Sequence, residues 1–287
     1  MKKNIRIIKR SGEIEDFDIN KLKTSLRRSA ADEPLILKIC DAVLNNLKEG
    51  MTTKQVYKMA YKMLKEKSRV TAAKYKLKKA LMELGPSGFP FERLVGKLLA
   101  HEGFQTEVGV NVQGNCVQHE VDVIAQKENL HYMIECKYHS DPGRFCDVKV
   151  PLYIQSRFID IRTEWKKSAD HESKIHKGWV YTNTRFTADA IQYGTCAGLG
   201  LTSWDYPTGN GIRERIDRCG MHPITALTSL SKYEKSLLLE KGVIICKELE
   251  ENPVLLEHIG VSEMRIKSIL EDLKELCQPI KKLHHEE

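Results

Sequence analysis

Residues 119–139, HEVDVIAQKENLHYMIECKYH, set charged groups inside two apolar runs. The first run is Val121-Asp122-Val123-Ile124; the second is Met133-Ile134-Glu135-Cys136-Lys137. An ionised group is costly to bury unless it is paired or bound to metal. In a strand, residues i and i+2 share a face roughly 7 Å apart. Glu135 and Lys137 therefore point one way and Cys136 the other. If Lys127 to Leu130 form a four-residue hairpin loop, Gln126 faces His131 and Asp122 faces Glu135, ~5 Å apart. A three-residue loop would slip the register by one and separate the two acids. Like charges so placed need a cation between them. Two carboxylates plus a backbone carbonyl, that of Cys136, make the hard oxygen site that Mg²⁺ prefers. A lysine beside it can hold an attacking water or stabilise charge on a phosphate. These are the parts for metal-assisted phosphodiester hydrolysis.

The spacing carboxylate-x-Lys recurs at Glu172/Lys174, Asp147/Lys149 and Asp272/Lys274, so it says little by itself. The copy at 135–137 alone ends an apolar strand and follows a strand with an internal Asp. The elements that must position it run from Phe89 to about Pro207. FERLVGKLLAHEGF is an amphipathic helix ending at Gly103, and strands follow at about 105–112, 119–125 and 131–137. A helix spans about Asp147 to Lys167. KGWVYTN is a strand, TADAIQYGTCAGL a helix and GLTSW a last strand. The order α-β-β-β-α-β-α-β describes a mixed sheet with helices on its faces. His119 and His139 flank the acids as strand-end residues and are not counted as ligands.

The helix FERLVGKLLAHEGF, then HEVDVIA, then MIECKYH, with VYTNTRFTADAIQYG and LTSWDYP further on, resembles the restriction-endonuclease-like PD-(D/E)XK nucleases, most closely their Mrr-type branch. The resemblance covers residues 87–208. It implies that Asp122 and Glu135 bind Mg²⁺ or Mn²⁺ and that Lys137 is the catalytic lysine. Glu92 matches a helical Glu that can join the metal, and Gln155, in LYIQSRF, stands where relatives carry a Gln near the site. The proline of the family name is replaced here by Val121.

Residues 1–85 read as strand, turn, strand, then helices. IRIIKR and EIEDFD flank a turn at Ser11-Gly12. Helical periodicity runs from Ile19 to about Ala30, through LILKICDAVLNNLKE, from Thr53 through Lys65, and from about Thr71 to Leu84. Thr52 or Thr53 is the expected N-cap of the third helix. IKRSG, EDFD, INKLKTSL, MTTKQV and AAKYKLKKAL resemble an ATP-cone, the nucleotide-sensing module of ribonucleotide reductases. That resemblance implies contacts to ATP or dATP from Ile8, Lys9, Arg10, Lys21 and Thr53 or its neighbour Thr52. Lys9, Arg10 and Lys21 are phosphate-binding cations, the last near a helix start. No GxxxxGK[ST] occurs, so sensing rather than P-loop hydrolysis is expected. The other reading is a small basic DNA-binding domain without a nucleotide.

LGPSGFP breaks the helical pattern and marks a domain boundary, and TGNGIRER reads as a second linker. Residues 214–287 are helical up to the polar tail KKLHHEE. LTSLSKYEKSLLLEKGV and LLEHIGVSEMRIKSIL resemble helix-hairpin-helix modules, which bind phosphate through backbone N–H groups. Ile259-Gly260-Val261 lacks the fuller Gly-x-Gly, and KELEENP and EDLKEL are acidic, so packing or dimerisation is an equal expectation.

Of the 287 residues 41% are hydrophobic, enough for ordinary cores. No apolar run approaches the ~20 residues of a membrane helix, and MKKNIRIIKR does not read as a signal peptide. Eight cysteines with no CxxC pair fit a reducing, cytoplasmic setting. Residues 1–85 carry 21 Lys+Arg against 10 Asp+Glu, net +11, and the remainder is net −4, within a total of +7. A basic block on a near-neutral body suggests a polyanionic partner. The expected fold is multidomain α/β: a small α+β ATP-cone (1–85), a mixed-sheet restriction-endonuclease-like domain (87–208) and an all-α domain (214–287). The expected function is a Mg²⁺-dependent DNA endonuclease, a homo-oligomer tuned by ATP or dATP. The alternative is a non-cutting, nucleotide-responsive DNA-binding regulator. RNA or a DNA junction would suit the same catalytic parts.

Overall fold

A computed structural model describes residues 5–9, 12–171 and 173–279. Arg10, Ser11, Glu172 and the KKLHHEE tail lie outside the described residues. β1 (Arg6–Ile8) and β2 (Ile14–Asp16) form an antiparallel hairpin, followed by α1 (Ile19–Arg28) and α2 (Glu33–Asn46). The short β3 (Met51–Thr52) pairs parallel to β1 and runs directly into α3 (Thr53–Lys67). The turn into α3 is a capping box. The Thr52 hydroxyl accepts from Gln55 N, and the Gln55 side chain accepts from Thr52 N. The single helix expected over Thr71–Leu84 is two, α4 (Arg69–Tyr75) and α5 (Leu77–Met82).

The central unit begins with α6 (Phe89–His101), β4 (Gln105–Gln113), β5 (Gln118–Lys127) and β6 (Leu130–Lys137). A short β7 (Phe145–Cys146) precedes α7 (Lys149–Trp165) and β8 (Ile175–Thr182). After β8 come β9 (Arg185–Phe186), α8 (Ala188–Cys196) and β10 (Gly200–Thr202). The five long strands form one mixed sheet in the order β10-β8-β6-β5-β4. β4, β5 and β6 are antiparallel neighbours, while β6, β8 and β10 run parallel. The β7–β9 pair, two residues each, forms a separate ribbon too short to show a period in the sequence.

Helices cover both faces of the sheet, so its strands are apolar on both sides. Ile134 and Cys136 belong to the core shared with α6, whereas Met133 packs in the core beneath α7 and α8. By strand alternation Glu135 and Lys137 share the α7 side with Met133.

Thr208–Arg215 is only partly a linker. α9 (Ile212–Cys219) starts inside it, and Ile212, Arg215 and Ile216 are buried. The helical end comprises α10 (Lys232–Glu240), α11 (Cys246–Glu251), α12 (Val254–Glu257) and α13 (Glu263–Leu276). Its two helix pairs each turn at a left-handed glycine, Gly242 (φ 79°) and Gly260 (φ 78°).

The hydrophobic clusters do not respect the linear order. Ile7, Leu22, Leu26, Val43 and Leu64 centre a first core. Leu77, Leu81 and Leu84, however, join Phe91, Leu98, Ile134, Tyr181 and Ile216 in a second. Val70 and Ala73 join the core of the C-terminal helices. All eight cysteines are free. No helix among the described residues is long and apolar enough to cross a membrane.

Candidate functional site

The pairs Val123↔Ile134 and Gln126↔His131 fix the β5–β6 register; the ladder ends at Val123↔Ile134, with Asp122 and Glu135 the next residues beyond it. The expected register holds, but the loop is tighter. Lys127 pairs with Leu130, leaving a two-residue turn in which Glu128 takes φ 54°. A two-residue loop and a four-residue loop share the same parity, so both keep the acids on one face.

Asp122 Oδ2 accepts a 2.6 Å hydrogen bond from the Cys136 backbone N–H. Its carboxyl is nevertheless pushed up to about 7, first by burial and then by the charge of Glu135, with Glu92 adding to it. Glu92, in the first turn of α6, is also raised, by burial and by the charges of Glu120 and Glu135. Glu135 has a partner that sequence reading missed. Arg157 on α7 donates from Nη1 to Glu135 Oε2 at 2.7 Å. Arg157 also donates to the Glu120 carbonyl and the Tyr153 hydroxyl, and its guanidinium lies 4.9 Å from the Tyr153 ring centre. The available signal was the i, i+4 spacing of Tyr153 and Arg157 around Gln155.

Gln155 lies on the same helix, and its Oε1 is buried without a hydrogen-bond partner. Lys137 ends β6, is exposed and makes no ion pair among the described residues. The chain beyond it is pinned. His139 N donates to Asn183 Oδ1, and Asn183 Nδ2 donates back to the His139 carbonyl. His119 is tied instead to Asp160, at 2.7 Å. Asp160, which also accepts from Cys116 N, is pulled down to about 2 by that histidine.

Gly109 on β4 stands opposite Asp122 with φ 67°, between the pairs Val108↔Val123 and Val110↔Val121. A left-handed glycine within a strand marks a local break in the ladder. Glu135 and Lys137 lie at the C-terminal end of a parallel strand, where open α/β sheets place their ligands.

In the N-terminal unit, Ile8 pairs with Thr52 across β1 and β3. Lys9 reaches Glu15 at 2.8 Å and Glu13 at 3.1 Å, and Lys21 reaches Glu15 at 3.4 Å. Ile8 and the Thr52–Thr53 turn are therefore neighbours across β1 and β3, and Glu15 on β2 lies between the two lysines. Glu15 is lowered, chiefly by its bond from Lys9. Arg10 lies outside the described residues.

Residues 5–80 match the ATP cone domain, and residues 222–277 match the domain described as AF1548-like, C-terminal. An uncharacterized protein of Archaeoglobus fulgidus is 32% identical over 183 residues, spanning 63% of this chain and 99% of the relative. The chain belongs to the AF1548-like family. The crystal structure of AF1548, a protein of unknown function, superposes with a TM-score of 0.52 at 32% identity, covering 67% of this chain and 98% of that one. MspJI restriction endonuclease, solved with a 27-mer oligonucleotide, gives a TM-score of 0.36 at 12% identity over 60% of this chain and 36% of that one. So slight a likeness carries no weight for fold or function. The shared fold of the AF1548-like family thus reaches across most of the present chain.

Proposed function

We propose that the chain is a metal-dependent DNA endonuclease of the PD-(D/E)XK type whose activity or assembly responds to ATP or dATP held by its cone. The observation that carries this reading is Asp122 hydrogen-bonded to the Cys136 N–H beside Glu135, with Lys137 exposed on the face of Glu135. The donor set fits Mg²⁺ or Mn²⁺. Its ligands are oxygens, the Asp122 carboxyl is pushed up to about 7 by burial and by the neighbouring acids, and the Gln155 oxygen is orphaned. Asp122, Glu135 and the Cys136 carbonyl would hold the ion, with Glu92 at its margin. When bound, it would polarise a phosphate oxygen and lower the pKa of a water. Arg157 orients Glu135 and covers its second oxygen. Lys137 holds the attacking water against the phosphate or neutralises charge that develops on it. On the cone, Ile8, Lys9, Lys21, Thr53 and Arg10 are the proposed nucleotide contacts.

The test is cleavage of plasmid and linear DNA with Mg²⁺ or Mn²⁺, with and without ATP or dATP. Lys137→Ala should fold and bind DNA as the parent does, yet lose cleavage by about 10²-fold or more, the scale of removing a charge-stabilising donor. Undiminished cutting by this variant, or by Glu135→Ala, would sink the assignment.

One observation favours a second reading. The Arg157 ion pair already neutralises Glu135, as a structural carboxylate would require. A non-cutting, nucleotide-responsive DNA-binding regulator would then use the basic first 85 residues and the helix-hairpin-helix-like end. It predicts no cutting with any metal, alongside DNA binding that still shifts with nucleotide.

A further inference from the structure

At the opposite end of the sheet lies a group of side chains that the proposed chemistry does not use. His131 opens β6, His176 opens β8, and the two are direct neighbours in the parallel ladder. His171 comes from a single 3₁₀ turn, Ala169–His171, after α7. One ring nitrogen of each histidine lies within 4.8 Å of one on each of the others. Among the described residues this is the one such convergence of three or more His, Cys, Asp or Glu. His131 shares its face with Glu135 but sits four residues away, roughly 13 Å along the strand. The cluster is therefore separate from the acidic site.

Its geometry suits a metal. His131 Nδ1 and His176 Nδ1 stand 3.3 Å apart, sharing a hydrogen bond that an ion would replace. Two nitrogens bound tetrahedrally at ~2.0–2.1 Å would stand about 3.3–3.5 Å apart. His171 Nδ1 is buried without a hydrogen-bond partner, an unusual state for an interior polar atom. Burial, followed by the charge of the neighbouring histidines, pulls His131 and His176 down to about 4.

Ring packing alone would be the simpler account. Trp165 stacks on His171 with ring centres 5.3 Å apart and touches His131 at 4.4 Å. Packing, however, leaves the orphan nitrogen of His171 unexplained. Lys174 and Lys166 add positive charge nearby, so a cation must be held by direct coordination rather than by a favourable field. A surface cavity of about 270 Å³, lined in part by Glu164, Trp165 and His171, reaches the cluster.

We propose that His131, His171 and His176 form a three-histidine site for a divalent transition-metal ion of the zinc class, with its fourth position left to water. Imidazole nitrogens select zinc, nickel, cobalt or copper over magnesium. The site would clip the end of α7 and the following turn to the starts of two core strands.

The test uses the full chain, purified without a histidine tag, stripped of metal and titrated with Zn²⁺, Co²⁺ or Ni²⁺. The expected result is one equivalent bound per chain by dialysis and elemental analysis, with Co²⁺ or Ni²⁺ quenching part of the tryptophan fluorescence through Trp165. The quenched part should vanish in Trp165→Phe. His176→Asn and His131→Asn, which keep a polar side chain of smaller volume, should weaken binding by at least about 100-fold, since even outer-shell changes cost roughly 10–100-fold. Glu135→Ala should bind as the parent does. Binding that survives both histidine changes, or that is lost in Glu135→Ala, would overturn the proposal, as would no stoichiometric binding of any of the three ions by the well-folded parent.

Discussion

Asp122 is the residue at which stability and the proposed activity pull apart. Its carboxyl keeps a proton up to about pH 7 in the folded chain but only to about 3.9 when unfolded. Between these values the folded chain binds the extra proton. Stability therefore falls as pH rises from about 4 to 7, and the cost is fully present above 7. That cost is on the order of a few kcal/mol. Asp122→Asn keeps an acceptor for the Cys136 N–H and removes the charge. It should melt several degrees above the parent at pH 8 and close to it at pH 4, while losing all metal-dependent cutting. Thermal melts at the two pH values check this, and equal gaps at both would show that the acids do not crowd one another. Because metal must displace that proton, the metal concentration needed for cleavage should fall as pH rises through about 7.

Two glycines separate conformation from space at the scale of elements. Gly109 has φ 67°, and a Cβ there would meet nothing within 4 Å. Any cost of Gly109→Ala is therefore backbone strain, about 1–2 kcal/mol, and Asn, which tolerates that region, should cost less than Val. Gly178 on β8 is the converse. A Cβ would come within 2.6 Å of Leu199 and 3.2 Å of Phe158, where α7 lies on the sheet. Gly178→Ala should cost about 1–3 kcal/mol through overpacking, and Leu199→Ala should restore part of it. Urea midpoints distinguish the two cases. If Gly109→Ala and Gly109→Asn cost the same, the positive φ is not what matters there.

Across the whole molecule, the last helix of the N-terminal segment touches the candidate site. The Tyr138 hydroxyl, next to Lys137, donates to the Met82 carbonyl at 2.8 Å, and Asn183 Nδ2 lies 3.2 Å from the Met82 sulfur. Leu77, Leu81 and Leu84 fill the core beneath β6. A shift of α5 when the cone binds nucleotide would thus bear directly on the end of β6. Coupling of this kind is typically worth ~1–3 kcal/mol, and one neutral hydrogen bond about 1 kcal/mol. Tyr138→Phe should retain basal cleavage and shrink the fold-change caused by ATP by several-fold. Cleavage assays across an ATP titration measure it, and an unaltered nucleotide response would place the coupling elsewhere.

Much of the local order was legible in the chain. Strand and helix periods, the Thr52 turn and the parity of the β5–β6 hairpin depend on neighbours a few residues apart. Asp122, Glu135 and Lys137 could therefore be paired on paper, because a register needs only alternation and a turn. Arg157 could not be assigned to Glu135, since that contact depends on how α7 lies across the sheet, 22 residues away in sequence. The same holds for the histidines. His131, His171 and His176 share no motif and converge only because a parallel crossover returns β8 beside β6. Leu77, Leu81 and Leu84 likewise pack with the central core across the Gly-Pro break. Composition marks where a chain bends, but the cores it joins are decided by which apolar faces meet.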